Sequence, residues 1–192
     1  MAAKIAFIGT HGVGKTILTF SVASHLRKLN HDADVAYENA RTSPFPINEA
    51  TTLEGQMWIL ATQWKNELEA CLRCGIVICD RAVVDNYAYM VHASGEQEYL
   101  HPFLEHWLRT YRLLFFVPIV AEEIVVDKQR ATSRRFQREI HDLIEGLVAR
   151  FALGDLVVRL PCDRALHMNV ILEALRERGI LGEDDFQLRL FS

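Results

Sequence analysis

The sequence predicts a three-layer α/β fold, in which five parallel strands lie between helices on both faces of the sheet. Five apolar runs of strand length alternate with longer segments that carry apolar residues at helical spacing, and this alternation is typical of a parallel sheet. The predicted strands are residues 4–8, 34–38, 76–79, 113–117 and 156–160. Ligands of such sheets bind beyond the carboxyl ends of the strands.

The segments between the predicted strands form the predicted helices. The first helix follows residue 14 and ends near Asn30, and the second ends before Gly75. The second helix carries one apolar stripe, which consists of Leu53, Met57, Leu60, Trp64, Leu68 and Cys71. Further helices are predicted over residues 85–92, 102–111, 136–151 and 163–175. A chain of 192 residues suits one domain, here residues 1–178, followed by a C-terminal tail at 179–192.

The turn between the first strand and the first helix carries the most specific motif. Residues 9–16, GTHGVGKT, match G-x-x-x-x-G-K-[ST], the phosphate-binding loop of P-loop NTPases. Glycines let the backbone curl so that its N–H groups point at phosphate oxygens, and the following helix adds its positive dipole end. Lys15 supplies a charge to the β- and γ-phosphates, and Thr16 offers a hydroxyl to Mg²⁺. The predicted ATP-binding residues are Gly9, Thr10, His11, Gly12, Val13, Gly14, Lys15 and Thr16.

Polar residues also follow the ends of two other strands, so the sheet is expected to bring them to the same edge. Asp80 is expected to hold Mg²⁺ beside Thr16 and to act in catalysis, and Arg81 suits a phosphate contact. Glu38 is expected to face the phosphate acceptor, where it orients the attacking hydroxyl or takes its proton, with Arg41 also on the substrate side. The alternatives are a helix cap or a surface carboxylate for Asp80 and a pair with Asp80 for Arg81. For Glu38 the alternative is a solvated carboxylate paired with Arg41.

An arginine-rich segment at residues 122–138 is predicted to form a lid over the phosphates. It follows the fourth strand at the ligand edge, and its arginines are Arg130, Arg134, Arg135 and Arg138. A basic lid excludes water and neutralises developing charge. We expect Arg130 and Arg134 to act in catalysis and Arg138 to contact the substrate, against the alternative of a solvated charged helix face.

Several aromatic and amide residues border the same predicted cleft. They are Trp58, Gln63, Asn86, Tyr87 and Tyr89. Aromatic rings with amides suit a flat heterocycle, but they suit ordinary core packing equally well. The sequence leaves both alternatives open for each of them.

Composition limits the classes of partner. The net charge of −4 disfavours a surface that coats nucleic acid. The longest apolar stretch, residues 113–121, is too short to cross a membrane, and no signal peptide precedes the first strand, so a cytoplasmic protein is expected. The oligomeric state stays open, with a homodimer as one option.

The motifs together resemble those of small-molecule kinases of the nucleoside and nucleotide kinase group. The resemblance rests on the phosphate-binding loop, on YENAR at residues 37–41, on CDR at 79–81 and on the segment that starts D-x-x-R at 127. The sequence is similar in particular to the AAA-type kinase-like domain of NadR proteins, which phosphorylates nicotinamide riboside. The resemblance implies a P-loop NTPase fold with an arginine-rich lid, and ATP-dependent phosphoryl transfer to a nucleoside, nucleotide or nicotinamide-riboside-like acceptor. Ala82 and the lack of proline after Glu38 depart from the usual kinase pattern.

Three other functions are alternatives to a kinase for a chain with this loop. A GTPase switch would need Asn-Lys-x-Asp and Asp-x-x-Gly, which the sequence lacks. A remodelling ATPase usually has Asp-Glu at the second motif, where this chain has Asp80–Arg81. A regulatory module that binds nucleotide without turnover needs only the loop, and it stays open as an alternative.

Overall fold

The structure is a computed structural model that describes residues 2–38, 40–120 and 134–182. Strands and helices alternate along nearly the whole of this part of the chain. The elements are β1 (Ala3–Ile8), α1 (Lys15–Lys28), β2 (Ala33–Ala36), α2 (Leu53–Arg73), β3 (Ile76–Asp80), α3 (Val83–Ser94), α4 (His101–Leu108), β4 (Tyr111–Phe116), α5 (Arg134–Arg150), β5 (Val157–Arg159) and α6 (His167–Glu177). Short 3-10 helices lie at residues 40–42, 48–50, 98–100 and 164–166.

The described strands form one parallel sheet in the order β2-β3-β1-β4-β5, and this confirms the predicted fold class. β1 is the central strand, with β3 and β2 on one side and β4 and β5 on the other. Its last residues pair with the ends of both neighbours, Phe7 with Asp80 and Ile8 with Phe116. The chain changes direction across the sheet at β1, and the crevice beyond such a strand is where ligands bind.

The two faces of the sheet are covered by different helices. Alternate side chains of β1 point to opposite faces, so Ile5 and Phe7 pack with α1 and α6, while Ala6 and Ile8 pack with the layer of α2 to α5. Leu181, after α6, also packs into the first of these cores. The helices therefore cover both faces and leave the carboxyl edge of the sheet for the loops.

Some details of the fold differ from the expectation. The helix predicted over residues 102–111 ends at Leu108, and Tyr111 is the first residue of β4. β2 ends at Ala36, so Glu38 lies two residues past the strand and not at its last position. In α2, Leu68 is 55% exposed, while Gln63 and Glu67 are buried. The rest of the predicted stripe is correct, since Leu60 lies in the core and Leu53, Met57, Trp64 and Cys71 pack against it. Helical periodicity counts apolar residues and cannot show that the buried face also carries polar ones.

None of the helices in the described ranges is long and apolar enough to span a membrane.

Candidate active site

The phosphate-binding loop bends through glycine conformations that other residues adopt at a cost. Gly9, Gly12 and Gly14 have φ angles of 137°, 77° and 96°. A Cβ atom on Gly9 would also lie 2.8 Å from the carbonyl oxygen of Val117, so the loop passes β4 too closely for any side chain. Helix α1 then begins at Lys15, and no side chain caps its N-terminus. The first N–H groups of α1 are therefore available to an anion.

Lys15 is folded against its own loop. Its Nζ atom donates hydrogen bonds of 2.6 Å to the carbonyl oxygens of Gly9 and Thr10, and the residue is 5% exposed. Burial, followed by the nearby Arg81, lowers the pKa of Lys15 from 10.5 to about 7. Asp85, Asp80 and Glu38 act in the opposite direction. A phosphate group at the loop would supply the negative charge that the ammonium form needs.

Asp85 is a site residue that the sequence analysis missed. Its carboxylate is fully buried and accepts hydrogen bonds from the backbone N–H groups of Gly9, at 2.7 Å, and Ala82, at 3.0 Å. The second bond lies within the first turn of α3 and has a local sequence signal, an acidic residue three positions after the helix cap. The bond to Gly9 spans 76 positions and has no such signal. Asp85 therefore ties the phosphate-binding loop to α3.

Asp80 and Thr16 lie beside the loop with side chains that suit a magnesium ion. Asp80 is 5% exposed, and burial raises its pKa, although a hydrogen bond with Thr16 acts to lower it. A carboxylate and a hydroxyl are oxygen ligands of the kind that Mg²⁺ binds, and Mg²⁺ takes its other ligands from water and phosphate. Among the described residues there is no group of three or more His, Cys, Asp or Glu side chains that could hold a metal ion.

Glu38 and Arg81 form an ion pair next to Asp80. Nε of Arg81 lies 2.7 Å from Oε1 of Glu38, at an angle outside hydrogen-bond geometry, and the side chains are only 10% and 12% exposed. Burial works to lower the pKa of Arg81, but Glu38, Tyr89 and two further carboxylates raise it above the ordinary arginine value. The Arg81 guanidinium also lies 5.2 Å from the ring centre of Tyr89. The pair is thus a charged contact with little exposure to water.

Two clefts meet at this ion pair. The first, called the loop cleft, is lined by His11, Gly12, Gly14, Lys15, Thr16, Glu38, Asp80 and Arg81. The second, called the side cleft, is lined by Glu38, Ala40, Ile47, Gln56, Ile59, Arg81, Asn86 and Tyr89. Because Glu38 and Arg81 belong to both linings, they form the common wall of the two clefts.

The side cleft combines apolar walls with polar groups. Asn86 is 3% exposed, and its amide nitrogen has no hydrogen-bond partner within the part of the chain that the structure describes. Gln56 is also buried, and its amide nitrogen donates to Oγ1 of Thr51 at 2.8 Å. A buried donor without a partner costs free energy unless a ligand or water satisfies it. Asn86 can therefore donate to a molecule in the side cleft.

His11 connects the loop to both α3 and α5. Its Nδ1 atom lies 3.0 Å from the hydroxyl of Tyr89, and its ring stacks on Phe136 with a centroid distance of 5.3 Å. Gln137 donates a 2.9 Å hydrogen bond to the carbonyl oxygen of His11. The first turn of α5, which includes the last residues of the predicted lid, therefore packs directly on the phosphate-binding loop.

The predicted lid arginines that the structure describes do not line either cleft. Arg134 and Arg138 lie exposed in the first two turns of α5, and Arg130 lies outside the described residues, as does most of the predicted lid. Arg41 belongs to the 3-10 helix Ala40–Thr42, but its side chain is outside the described part of the structure. The arginine-rich lid stays a prediction.

Of the cleft-bordering aromatics and amides, the structure places Asn86 and Tyr89 in the side cleft and the others elsewhere. Tyr87 is a core residue: it is fully buried, and its hydroxyl contacts His101 at 2.8 Å. Gln63 lies beneath the site, bonded to protein groups at both amide hydrogens. Trp58 is partly buried and does not line either cleft.

Known structures share this architecture. A NadR protein in complex with NR matches with a TM-score of 0.76 and 19% identity over 94% of this chain and 52% of its own. A NadR protein in complex with NAD and AMP-PNP matches with a TM-score of 0.67 and 17% identity, over 94% of this chain and 50% of its own. Thymidylate kinase from Ehrlichia chaffeensis matches with a TM-score of 0.64 and 18% identity, over 90% of this chain and 98% of its own. The chain thus spans about half the length of the NadR chains. Comparison with curated protein sequences gives no match.

A family model described as an AAA domain matches residues 4–164, which include the phosphate-binding loop, both clefts and five of the six helices. The fold is that of the P-loop nucleotide kinases among its structural neighbours. From the match over most of its length, the chain belongs to the AAA domain family.

Proposed function

We propose that this protein transfers the γ-phosphoryl group of ATP to a hydroxyl of a small acceptor, either a nucleoside, a nucleotide or a nicotinamide-riboside-like compound. The observation that carries the proposal is the common wall of the two clefts. A phosphate-binding loop alone indicates nucleotide binding, but a second cleft that shares a carboxylate and a guanidinium with it offers a place for a phosphate acceptor.

The loop cleft holds the phosphates in this proposal. Backbone N–H groups of residues 10–16 would surround the β- and γ-phosphates, and Lys15 would exchange its two loop carbonyls for phosphate oxygens. Thr16 and Asp80 would hold Mg²⁺, which offsets negative charge on the phosphates. Asp85 fixes the position of Gly9 by accepting a hydrogen bond from its backbone N–H group. Phosphoryl transfer depends largely on such positioning and charge stabilisation.

The side cleft holds the acceptor. Its hydroxyl would lie beside Glu38, which orients the hydroxyl and accepts its proton as the bond to phosphorus forms. Arg81 stabilises negative charge on the transferring group, and Asn86 donates a hydrogen bond to a carbonyl or similar group of the acceptor. Apolar side chains of Ile47 and Ile59 suit the faces of a heterocycle.

The predicted lid arginines and Arg41 have a role in this proposal when nucleotide is bound. Arg130 and Arg134 would contact the transferring phosphoryl group, and Arg138 and Arg41 the substrate. Arg134 and Arg138 are within two turns of Phe136 and Gln137, which contact the loop through His11. A small movement of α5 could therefore bring them toward the loop cleft.

The structural neighbours support the reaction class. One NadR structure contains NR, another contains NAD with AMP-PNP, and two others are thymidylate kinases. At 12–19% identity these matches carry the fold, and the reaction rests on the residues at the two clefts.

The test is a coupled ADP-release assay with ATP and Mg²⁺ over a panel of acceptors. The panel contains nucleosides, nucleoside monophosphates and nicotinamide riboside, with Lys15→Ala as the inactive control. We expect ADP release that depends on one class of acceptor, and a phosphorylated product of matching mass. The comparison of each nucleoside with its monophosphate shows which class the side cleft accepts.

Two outcomes would overturn the proposal. Slow ADP release that is the same with every acceptor would indicate an ATPase. Tight ATP binding without release would indicate a regulatory nucleotide-binding module, the alternative left open by the sequence.

A further inference from the structure

Arg81 has a backbone conformation that needs support. Its φ angle is 80°, in the left-handed region that residues other than glycine rarely adopt, and it directly follows the last residue of β3. Such a conformation is unfavourable for a residue with a Cβ atom, and it persists when surrounding contacts hold it. The turn directs the guanidinium toward Glu38, so relaxation of the turn would withdraw the charge from the common wall of the clefts.

One described side chain bonds the carbonyl group of Arg81. Nε2 of Gln63 donates to this carbonyl oxygen at 3.2 Å across 18 positions of sequence. The same amide nitrogen donates to Oε1 of Glu67 at 2.8 Å, so both of its hydrogens are engaged. Gln63 is 2% exposed. These contacts exclude Gln63 from binding a substrate through its amide nitrogen and place it between Arg81 and the interior.

Glu67 holds Gln63 rigidly, because its own position is determined by three further donors. The carboxylate is fully buried and accepts hydrogen bonds from Lys4 at 2.6 Å, Trp107 at 2.8 Å and Tyr111 at 2.6 Å. Nζ of Lys4 also lies 4.5 Å and 4.0 Å from the ring centres of Trp107 and Tyr111. A buried charge pair with all its partners present fixes the geometry around it.

We infer that Gln63 is a positioning residue for phosphoryl transfer, acting through the Arg81 carbonyl. The network of Lys4, Glu67, Trp107 and Tyr111 anchors Gln63, and Gln63 maintains the left-handed turn that aims Arg81 at Glu38. This inference rests on the proposed function for its kinetic consequence but not for its structural one. Gln63 touches neither cleft, so its effect on the rate is indirect.

The kinetic test compares Gln63→Met, which keeps the size but loses the amide, with Leu60→Met, a fully buried control on the same helix. We expect Gln63→Met to lower kcat about 10- to 100-fold, since small misplacement of a reacting group has effects of this size. The Kd for ATP should stay within about twofold, because the phosphate-binding loop and Lys15 are unchanged. Leu60→Met should leave kcat near that of the natural protein.

A double-mutant cycle separates positioning from general damage to the fold. In an Arg81→Ala background, adding Gln63→Met should lower kcat by less than about twofold, because the group that Gln63 positions is already absent. Equal losses in both backgrounds would overturn the inference. Should Gln63→Met fail to fold, Gln63→Asn serves instead, since its shorter amide cannot reach both partners.

Crystal structures of the natural protein and the variant test the inference without activity. We expect Arg81 to leave the left-handed region and Nε to move beyond 4 Å from Glu38. An unchanged turn and ion pair in the variant would refute the inference even if no acceptor is phosphorylated. Absence of acceptor-dependent turnover in the natural protein would instead refute the proposed function alone.

Discussion

The loop cleft and the side cleft are built in opposite ways. Five of the residues that line the loop cleft lie close together in the sequence, between His11 and Thr16. Their arrangement depends largely on the backbone conformation of the glycines. The side cleft takes its polar side chains from α2, α3 and the segments after β2 and β3. Only Glu38 and Arg81 are shared.

This contrast separates a generic function from a specific one. A loop that presents backbone N–H groups binds phosphates whatever is attached to them. Side chains such as Asn86, held by distant parts of the chain, can discriminate between acceptors because an unmatched buried polar group is costly. We therefore expect changes in the loop cleft to affect every acceptor alike, and changes in the side cleft to affect them selectively.

Lys15→Ala should have the largest effect. It removes the charge that faces the β- and γ-phosphates, so kcat/KM should fall about 10³-fold for every acceptor. ATP binding should weaken in a titration that does not depend on turnover. An effect confined to one acceptor would contradict the division between the clefts.

Glu38→Gln should have the next largest effect and tests the common wall. Loss of the base should lower kcat by about 10²-fold, because the amide cannot accept the proton of the hydroxyl. The Kd for ATP should change little, as measured by calorimetry. A parallel fall in kcat and ATP affinity would show that Glu38 is structural, through its ion pair with Arg81.

Asn86→Leu should affect the side cleft alone. The amide nitrogen has no partner among the described residues, so its removal leaves no protein group unpaired there. The KM for the preferred acceptor should rise about tenfold through the lost hydrogen bond, while the KM for ATP should not change. Initial rates measured against each substrate in turn distinguish the two constants. An unchanged acceptor KM would place the acceptor elsewhere.

The smallest expected effect is a pH dependence of the loop cleft. Phosphate should restore the ordinary high pKa of Lys15, which is about 7 without ligand, so ATP binding above pH 7 should take up a proton. Affinity should weaken about fivefold between pH 7 and pH 8 from this group. Calorimetry in buffers of different ionisation enthalpy measures the proton. In Lys15→Arg, which stays charged, the uptake should vanish.

The lowered pKa of Lys15 also affects the stability of the unliganded protein, and here the pH trend is opposite to that of ATP affinity. The pKa of Lys15 is lowered in the folded state, so between about pH 7 and pH 10.5 the unfolded chain binds a proton that the folded chain lacks. This group therefore makes the free energy of unfolding of the unliganded protein rise with pH in that window. Urea unfolding at several pH values, compared with Lys15→Arg, measures the contribution.

Much of the fold could be predicted because its signals are local. All five strands were predicted near their observed positions, since each is a short apolar run between turn residues. α2 shows where such reasoning stops. Its buried face carries Gln56, Gln63 and Glu67, which an apolar pattern cannot reveal. Glu67 has partners in other elements of the fold. It bonds Lys4, at a separation of 63 positions in the sequence, and Tyr111, at a separation of 44.

The sequence by itself determined the α/β class and the phosphate-binding loop, because both depend on neighbours in the chain: periodicity, glycine conformations and the start of a helix. Tertiary structure alone decided that Asp85 bonds the backbone of Gly9, that Gln63 bonds the carbonyl group of Arg81 and that Asn86 lines the side cleft. These are hydrogen bonds and burial between residues far apart in sequence. They form only when the sheet order brings β1, β3 and their helices together, so no local pattern encodes them.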